Sequence, residues 1–283
     1  MVALADKRSW AGRPRLAQDI ARESRLILRW PVVVVAVAVW VGPLILGIVD
    51  ARGGVYRDNL DFFGDLMNSP VSLVFPLLVV LVGCFRLFEE LGHRAIVNTR
   101  MRSSVRATIA TRLTASMLVA FGVFFIAVLA QAVLAFAIWP LLGNPSVDPS
   151  VYRMGQSDLA ADQLERFGLS QAMAGGPIVY SLLMATWIGF GAAVYAAVGT
   201  AALVTLNNRF VALLTPMFVY FGLTLFTSLL QLPHFAPMFS LFPIGLTQQP
   251  VAVTVAPTVV VAVVVACCWI LVMHGLTRNA RLG

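Results

Sequence analysis

The chain has 283 residues, of which 59% are hydrophobic and 12% are charged, and it carries a net charge of +7. Soluble domains carry about a quarter charged residues, so this composition excludes an ordinary soluble protein and predicts an integral membrane protein. The basic residues alternate with apolar runs instead of forming one face, which argues against nucleic-acid binding. Because the apolar runs leave no room for a second folded domain, we expect a disordered cytoplasmic tail over residues 1–12 and a single membrane domain over residues 13–283.

An amphipathic helix is predicted before the first apolar run. Leu16, Ile20 and Ile27 fall on one helical face and Arg22 lies off it, which is typical of a helix that lies along the membrane surface. Glu23 sits at the edge of the apolar face and fits this pattern poorly. The alternative is a partly ordered basic tail that only fixes the orientation of the chain.

Six apolar stretches are long enough to cross about 30 Å of hydrocarbon as helices. The second of them is short and crosses only if it continues to Phe88, with Arg86 reaching the headgroups. The prediction is an all-α integral membrane protein with six transmembrane helices. They cover about residues 30–49, 70–88, 113–142, 177–206, 210–230 and 251–273.

The fourth stretch carries a face of small residues. They recur at every fourth position, which lets another helix approach closely. This face predicts either close packing within the chain or a subunit interface. The residues are Gly189, Ala193, Ala197 and Ala201.

A charge-free, proline-rich segment, residues 231–250, separates the last two stretches. Its prolines exclude a continuous spanning helix, and its apolar character argues against a solvated loop. We therefore expect a re-entrant or extracellular hairpin that is buried against protein. The prolines are Pro233, Pro237, Pro243 and Pro250.

The charged residues agree with an even number of crossings. In the six-helix prediction, the N-terminal segment, the central loop 86–112, Arg209 and the C-terminal tail hold sixteen of the 20 basic residues and five of the 13 acidic residues. Cytoplasmic loops carry the excess of lysine and arginine in membrane proteins, so we expect both termini to be cytoplasmic.

Motifs for catalysis and metal binding are sparse. Lys7 is the only lysine, which excludes the phosphate-binding motif GxxxxGK[ST], and the three histidines are predicted in separate places, so no metal site is expected. Glu89, Glu90 and Arg94 match the EExxxR signature of the intramembrane prenyl-protease family, but the histidine-containing elements that accompany the signature do not occur. An intramembrane protease of this type is the first alternative for the function.

The central loop resembles the corresponding loop in the transmembrane subunits of ABC-2 type transporters. It reads FEELGHRAIVNTRMRSSVRATIATRLTAS, and Arg112 stands where that family commonly has a lysine. The amphipathic N-terminal helix, the sequence NNRFVALLTP and the proline-rich hairpin follow in the order typical of the family. The expected coupling residues of the loop are Glu89 or Glu90, Gly92, Arg94, Thr99, Arg100, Arg102 and Arg106.

The resemblance implies a permease subunit that is not itself an enzyme and holds no cofactor. It would pair with a separate ATPase subunit, which binds ATP and Mg, and with a second permease subunit, identical or homologous. The uncharged spans favour export of an amphipathic or hydrophobic compound such as a drug, a peptide or a lipid-like molecule. The expected location is the inner (plasma) membrane of a bacterium, with lipid as a further partner. Alternatively, the charges of the loop are solvated and only fix the orientation of the chain in the membrane. A non-transporting membrane scaffold or sensor is the second alternative for the function.

Overall fold

The computed structural model describes residues 13–92, 105–245 and 247–275. This part of the chain is helical, with one isolated β-bridge between Tyr56 and Val147 and no strand. Valine-rich sequence such as residues 32–39 favours strands in water. It is helical here because a helix satisfies all its backbone hydrogen bonds within one segment, as a spanning segment requires.

The helices are numbered in chain order. The helix Val105–Val133, α7, continues through a π-helical turn, Leu134–Ile138, and a last α-helical turn, Trp139–Leu141. Short 3₁₀ turns occupy Pro149–Tyr152, Ser170–Gly175 and Pro233–Phe235. The helices are α1 (Arg13–Ile27), α2 (Trp30–Asp50), α3 (Asn59–Met67), α4 (Pro70–Leu73), α5 (Phe75–Gly83), α6 (Phe85–Gly92), α7 (Val105–Val133), α8 (Gln156–Glu165), α9 (Pro177–Thr205), α10 (Arg209–Leu229), α11 (Pro237–Leu241) and α12 (Val251–Gly275).

Five helices in the described residues are long and apolar enough to cross a membrane: α2, α7 with its extension, α9, α10 and α12. The all-helical class and the presence of several helices that could cross a membrane are therefore as predicted. The remaining stretch, predicted to cross at about residues 70–88, differs from the prediction because it consists of the three short helices α4, α5 and α6.

The break between α5 and α6 has a side-chain cause. The Ser116 hydroxyl of α7 donates a 2.7 Å hydrogen bond to the carbonyl of Gly83, which a continuous helix would bond internally. Hydrogen bonds from Cys84 N to the Val80 carbonyl (2.8 Å) and from Phe88 N to the Cys84 carbonyl (3.0 Å) keep the two pieces aligned. The segment is thus interrupted but still runs in one direction.

The segment 70–92 connects the two ends of the bundle. Phe62, just before it, stacks on Trp139 at the end of the α7 extension, whereas Arg86 contacts Glu23, just before α2 begins. We call the end with Glu23 the basic end, because its described charges are Asp19, Glu23, Glu89 and Glu90 against Arg22, Arg25, Arg29, Arg86, Arg106, Arg112 and Arg209. The opposite, acidic end holds Arg52, Arg57, Arg153 and Arg166 against Asp50, Asp58, Asp61, Asp65, Asp148, Asp158, Asp162 and Glu165.

The helix α9 is the centre of the bundle and packs against α5, α7, α10 and α12. Its small residues permit this approach: a Cβ at Gly189 would lie 3.0 Å from Cδ2 of Phe121 on α7. The indole of Trp269 on α12 donates a 3.1 Å hydrogen bond to the Ala197 carbonyl. Ala193 is also buried and Ala201 is half-buried, so much of the predicted small-residue face is covered within the chain.

The proline-rich segment packs against α9 and α12. Trp187 of α9 donates a 2.9 Å hydrogen bond to the Ser240 carbonyl, and the Ser240 hydroxyl donates one of 2.6 Å to the Thr254 carbonyl of α12. Leu241 fills the space above Gly191, where a Cβ would lie 2.1 Å from the leucine Cδ2. Of its prolines, Pro237 and Pro243 are buried, Pro233 is half-buried and Pro250 is exposed.

Candidate functional site

Four charged side chains join three helices at the basic end. They are Glu23 of α1, Arg86 and Glu90 of α6, and Arg112 of α7, and we call them the basic-end network. Arg86 and Glu90 are four residues apart, so they share one face of α6. The network places α1 and both helices that flank residues 93–104 in direct contact.

The contacts of the network are short. Arg86 Nη1 lies 2.6 Å from Glu23 Oε2, and Arg86 Nε lies 3.0 Å from Glu90 Oε1. Arg112 Nη1 lies 2.6 Å from Glu90 Oε2. Only 12% to 22% of each side chain is exposed, so water screens these pairs less than it screens surface pairs. Two positive and two negative charges balance, which is what lets the group be this deeply buried.

Glu23, which fits the amphipathic pattern poorly, is explained by this contact. It lies on the same side of α1 as Ile20 and Ile27, and this side packs on the bundle. Ile27 is buried and Ile20 is half-buried, while Arg22 is exposed. The side chain of Leu16 lies outside the described part of the chain.

A small cavity of about 20 Å³ separates the network from the break between α5 and α6. Its walls include Gly83, Ser116 and Thr200, and the Cys84 thiol lies 3.5 Å from the Thr200 hydroxyl. Arg112 Nε and Nη1 are buried, and neither makes a hydrogen bond within the described part of the chain, so the contact of Nη1 with Glu90 is an ion pair only. The volume and the polar walls fit one water molecule. The charged network and the helix break therefore form one continuous polar region inside an apolar bundle.

The structure places the predicted coupling residues unequally. Glu90 belongs to the network, whereas Glu89 is half-buried and forms no ion pair with another described side chain. Gly92 ends α6. Arg106 Nη2 donates a 3.4 Å hydrogen bond to the His274 carbonyl of α12. The predictions for Arg94, Thr99, Arg100 and Arg102 lie outside the described residues.

Sequence reasoning did not single out Ser116 and Thr200. Both are hydroxyl residues inside long apolar helices, where they are common as neutral packing groups. What marks Ser116 and Thr200 is their contact with Gly83 and Cys84. This contact depends on how three helices are placed against each other. It is not visible in any one segment.

A second charged cluster ties the loops of the acidic end together. Arg166, after α8, donates hydrogen bonds of 2.7 and 3.0 Å to the two carboxylate oxygens of Asp58, before α3, and also pairs with Asp162. Burial raises the pKa of Asp58, but the hydrogen bonds and charge of Arg166 outweigh it, so the pKa of this carboxyl lies below its ordinary value. Gln163 donates a further 2.8 Å hydrogen bond to Asp58.

Backbone contacts reinforce this connection. Tyr56 N donates a 2.7 Å hydrogen bond to the Ser146 carbonyl, and Asp148 N donates one of 2.9 Å to the Tyr56 carbonyl. The Tyr152 hydroxyl donates a 2.6 Å hydrogen bond to the Val55 carbonyl. The cluster is therefore an ion-paired connection between two loops, in which both Asp58 and Asp162 pair with Arg166.

The two clusters differ in what they connect. The cluster at the acidic end joins loop to loop, whereas the basic-end network joins α1 to the two helices beside residues 93–104. Among the described side chains, no group of three or more His, Cys, Asp and Glu residues is placed to hold a metal ion. The basic-end network is therefore the candidate site, and its chemistry is mechanical connection by charge-assisted hydrogen bonds. Comparisons with family models, with curated proteins and with solved structures gave no match to this chain.

Proposed function

We propose that this chain is the permease subunit of an ATP-driven transporter of the ABC-2 type, which crosses the plasma membrane six times and draws on a separate ATPase. The observation that carries the proposal is the basic-end network. α6 leads into residues 93–104 and α7 follows them, and both are tied to α1 through Glu23, Arg86, Glu90 and Arg112. A soluble partner that displaces the loop would therefore move α1 as well.

Six crossings are part of this proposal. Residues 70–92 run from one end of the bundle to the other, and at about 1.5 Å per residue they extend about 34 Å, close to the thickness of the hydrocarbon. With this interrupted segment added to the five long helices, the chain would cross the membrane six times, which is an even number. The arginine-rich basic end would then face the cytoplasm together with both termini, as the distribution of basic residues favours.

The cargo is proposed to be hydrophobic or amphipathic: a drug, a peptide or a lipid-like molecule. In the described part of the long helices, the buried polar side chains away from the basic end are neutral hydroxyl and amide groups, such as Gln131, Ser181 and Thr258. An ionic cargo would need a fixed counter-charge along its path. Export is the direction that suits such a compound.

The proposal also names the partners. The ATPase subunit would bind ATP and Mg and contact the central loop. A second permease subunit, identical or homologous, would complete the pathway, and the assembly would lie in a bacterial inner membrane. Charge-assisted pairs such as those of the basic-end network suit a junction that must transmit force without slipping.

Purification of the full chain from its native membrane tests this proposal. We expect a nucleotide-binding ATPase subunit to accompany the tagged chain, and the complex in liposomes to hydrolyse ATP faster when cargo is present. Glu90→Gln removes the charge that pairs with Arg86 and Arg112. It should lower cargo-stimulated hydrolysis by about tenfold while the ATPase stays bound, since the one charged hydrogen bond that is weakened, from Arg86 to Glu90, contributes about 1.5 kcal/mol.

Glu89→Gln is the matched control. It removes the same charge from the adjacent position, where no ion pair with a described side chain is lost, so hydrolysis should stay within about twofold of the wild type. An unchanged Glu90→Gln complex would refute the coupling role of the network. Purification without any ATPase would refute the permease proposal itself.

The two alternatives from the sequence give different results in the same preparation. Cleavage of a prenylated peptide by the chain alone would indicate the EExxxR-type protease. Ligand binding at the acidic end with neither cleavage nor a bound ATPase would indicate a membrane scaffold or sensor. Either result would replace the transport proposal.

A further inference from the structure

An open apolar groove of about 340 Å³ lies between α2 and α7, beside the end of α1. Ala36 and Trp40 of α2 form one wall, and Leu118 and Ile126 of α7 form the other. The floor is open at Gly122, because a Cβ built there would meet no other atom within 4 Å. The groove is therefore a shaped depression with empty space at its centre, unlike the flat side of a helix pair.

The indole of Trp40 is held in place. Its Nε1 donates a 2.9 Å hydrogen bond to the Val123 carbonyl on the facing helix, so the ring bridges the two walls and ends the groove. From Trp30 to Trp40, α2 rises about 15 Å, which is half of the roughly 30 Å hydrocarbon thickness. The groove is thus about one leaflet deep and begins at the basic end.

Two arginines stand next in the chain to residues that line the mouth of the groove. Ser24 and Leu28 line it, and each is followed directly by an arginine, Arg25 and Arg29. Both arginines are exposed, and neither forms an ion pair with another described side chain. Two exposed arginines in the segment that borders a leaflet-deep apolar channel suit an anionic headgroup above an acyl chain.

From this geometry we infer that the groove binds one anionic phospholipid of the surrounding bilayer. One acyl chain lies between α2 and α7, with its tail toward Trp40, and the phosphate lies between Arg25 and Arg29. Charge decides between the candidate occupants, because neither a neutral lipid nor an apolar helix of a second copy would use the two arginines. The inference does not depend on transport, since it concerns lipid binding by the chain alone.

Native mass spectrometry of the delipidated full chain in detergent tests the inference. Titration with dioleoylphosphatidylglycerol should give a first lipid bound about thirtyfold more tightly than dioleoylphosphatidylcholine, since each arginine near an anionic headgroup contributes about fivefold. The double variant Arg25→Gln and Arg29→Gln should lose this preference. Arg52→Gln, an exposed arginine at the acidic end, is its control and should keep it.

Gly122→Leu should fill the groove and weaken the first binding event for both lipids. Gly222→Leu is the matched control, because a Cβ built at Gly222 of α10 would also meet no other atom within 4 Å, and this glycine lies away from the groove. A measurement that needs no groove filling uses phosphatidylglycerol brominated on its acyl chain. Bromine should quench the fluorescence of the wild type more than that of Trp40→Phe.

Three outcomes would overturn the inference: equal affinity for the two lipids, unchanged binding in Gly122→Leu, or equal quenching in Trp40→Phe. A change of oligomeric state in Gly122→Leu with unchanged lipid binding would assign the groove to a second copy of the chain.

Discussion

The pair Glu23 and Arg86 should hold α1 on the bundle, and a double-mutant cycle can measure its contribution. The two charged groups are 2.6 Å apart, and about a fifth or less of each side chain is exposed. Hydrogen bonds between charged groups contribute about 1.5–3 kcal/mol. With this residual exposure we expect a coupling free energy of about 2 kcal/mol, which corresponds to about thirtyfold in the equilibrium for detachment of α1.

Hydrogen exchange of the α1 amides, in the full chain in detergent micelles, measures this detachment directly because local opening exposes them. Glu23→Gln should speed the exchange of residues 13–27. Arg86→Gln should speed it more, because it also leaves Glu90 with only Arg112 as a partner. The double variant should exchange about thirtyfold more slowly than the product of the two single effects predicts.

The comparison within the cycle removes effects that each substitution has by itself. A coupling free energy below about 0.5 kcal/mol would show that the pair is no stronger than an ordinary surface ion pair. In that case the basic-end network would not transmit movement to α1, and the reasoning behind the proposed function would fail at its first step.

Three further predictions concern other parts of the fold. Because the pKa of Asp58 is below its ordinary value, its contribution to stability is present above about pH 4 and is lost as the pH falls through the folded-state pKa. Asp58→Asn should therefore flatten the acid side of a thermal-stability profile and destabilise the chain by about 2 kcal/mol at neutral pH, because Arg166 loses its bidentate partner and keeps only the pair with Asp162. Gly191→Ala should displace Leu241, because the added Cβ would lie 2.1 Å from Cδ2 of this fully buried side chain, and a shift in tryptophan emission should report the moved segment. Ser116→Ala should lower thermal stability by about 1–2 kcal/mol, since it removes the donor to the carbonyl at the helix break.

Each of these variants has a matched control. Glu165→Gln removes an exposed acidic group near the same cluster and should leave the pH profile unchanged. Gly42→Ala adds a methyl group where no other atom lies within 4 Å, so the emission should not shift. Thr114→Ala removes an exposed hydroxyl that bonds only within its own helix, and its stability should match the wild type. A control that behaved like its partner variant would contradict the specific contact assigned to that partner.

The long helices could be predicted because the length of an uncharged run alone determines whether a helix can cross a membrane. The interruption at Cys84 could not be predicted in this way. It depends on the Ser116 hydroxyl, which is supplied by a residue 33 positions away in sequence from the Gly83 carbonyl that it bonds. Pro76, which has no backbone N–H, signals the earlier break at Val74, but nothing near Gly83 signals a missing internal hydrogen bond.

Only part of the candidate site could be predicted, because its contacts also join residues that are far apart in the sequence. The charge pattern around Glu89 and Glu90 pointed to the part of the chain that holds the network, but it could not show which of the two acids forms its ion pairs. Glu23 was a poor fit in its own helix until its partner, Arg86, 63 residues further along, came into contact. Side chains whose role depends on a distant partner look like irregularities in a local pattern.

The interruptions at Val74 and Cys84 also determine where the bundle yields most easily. A continuous helix resists bending because every turn is hydrogen-bonded to the next, whereas an interrupted helix bends more easily at its breaks. Ion pairs hold the loops of the acidic end together. A tilt applied through α6 would therefore be taken up at the break beside Ser116 before it reached the acidic end. If α6 is displaced, we therefore expect the angle between α5 and α6 to change first.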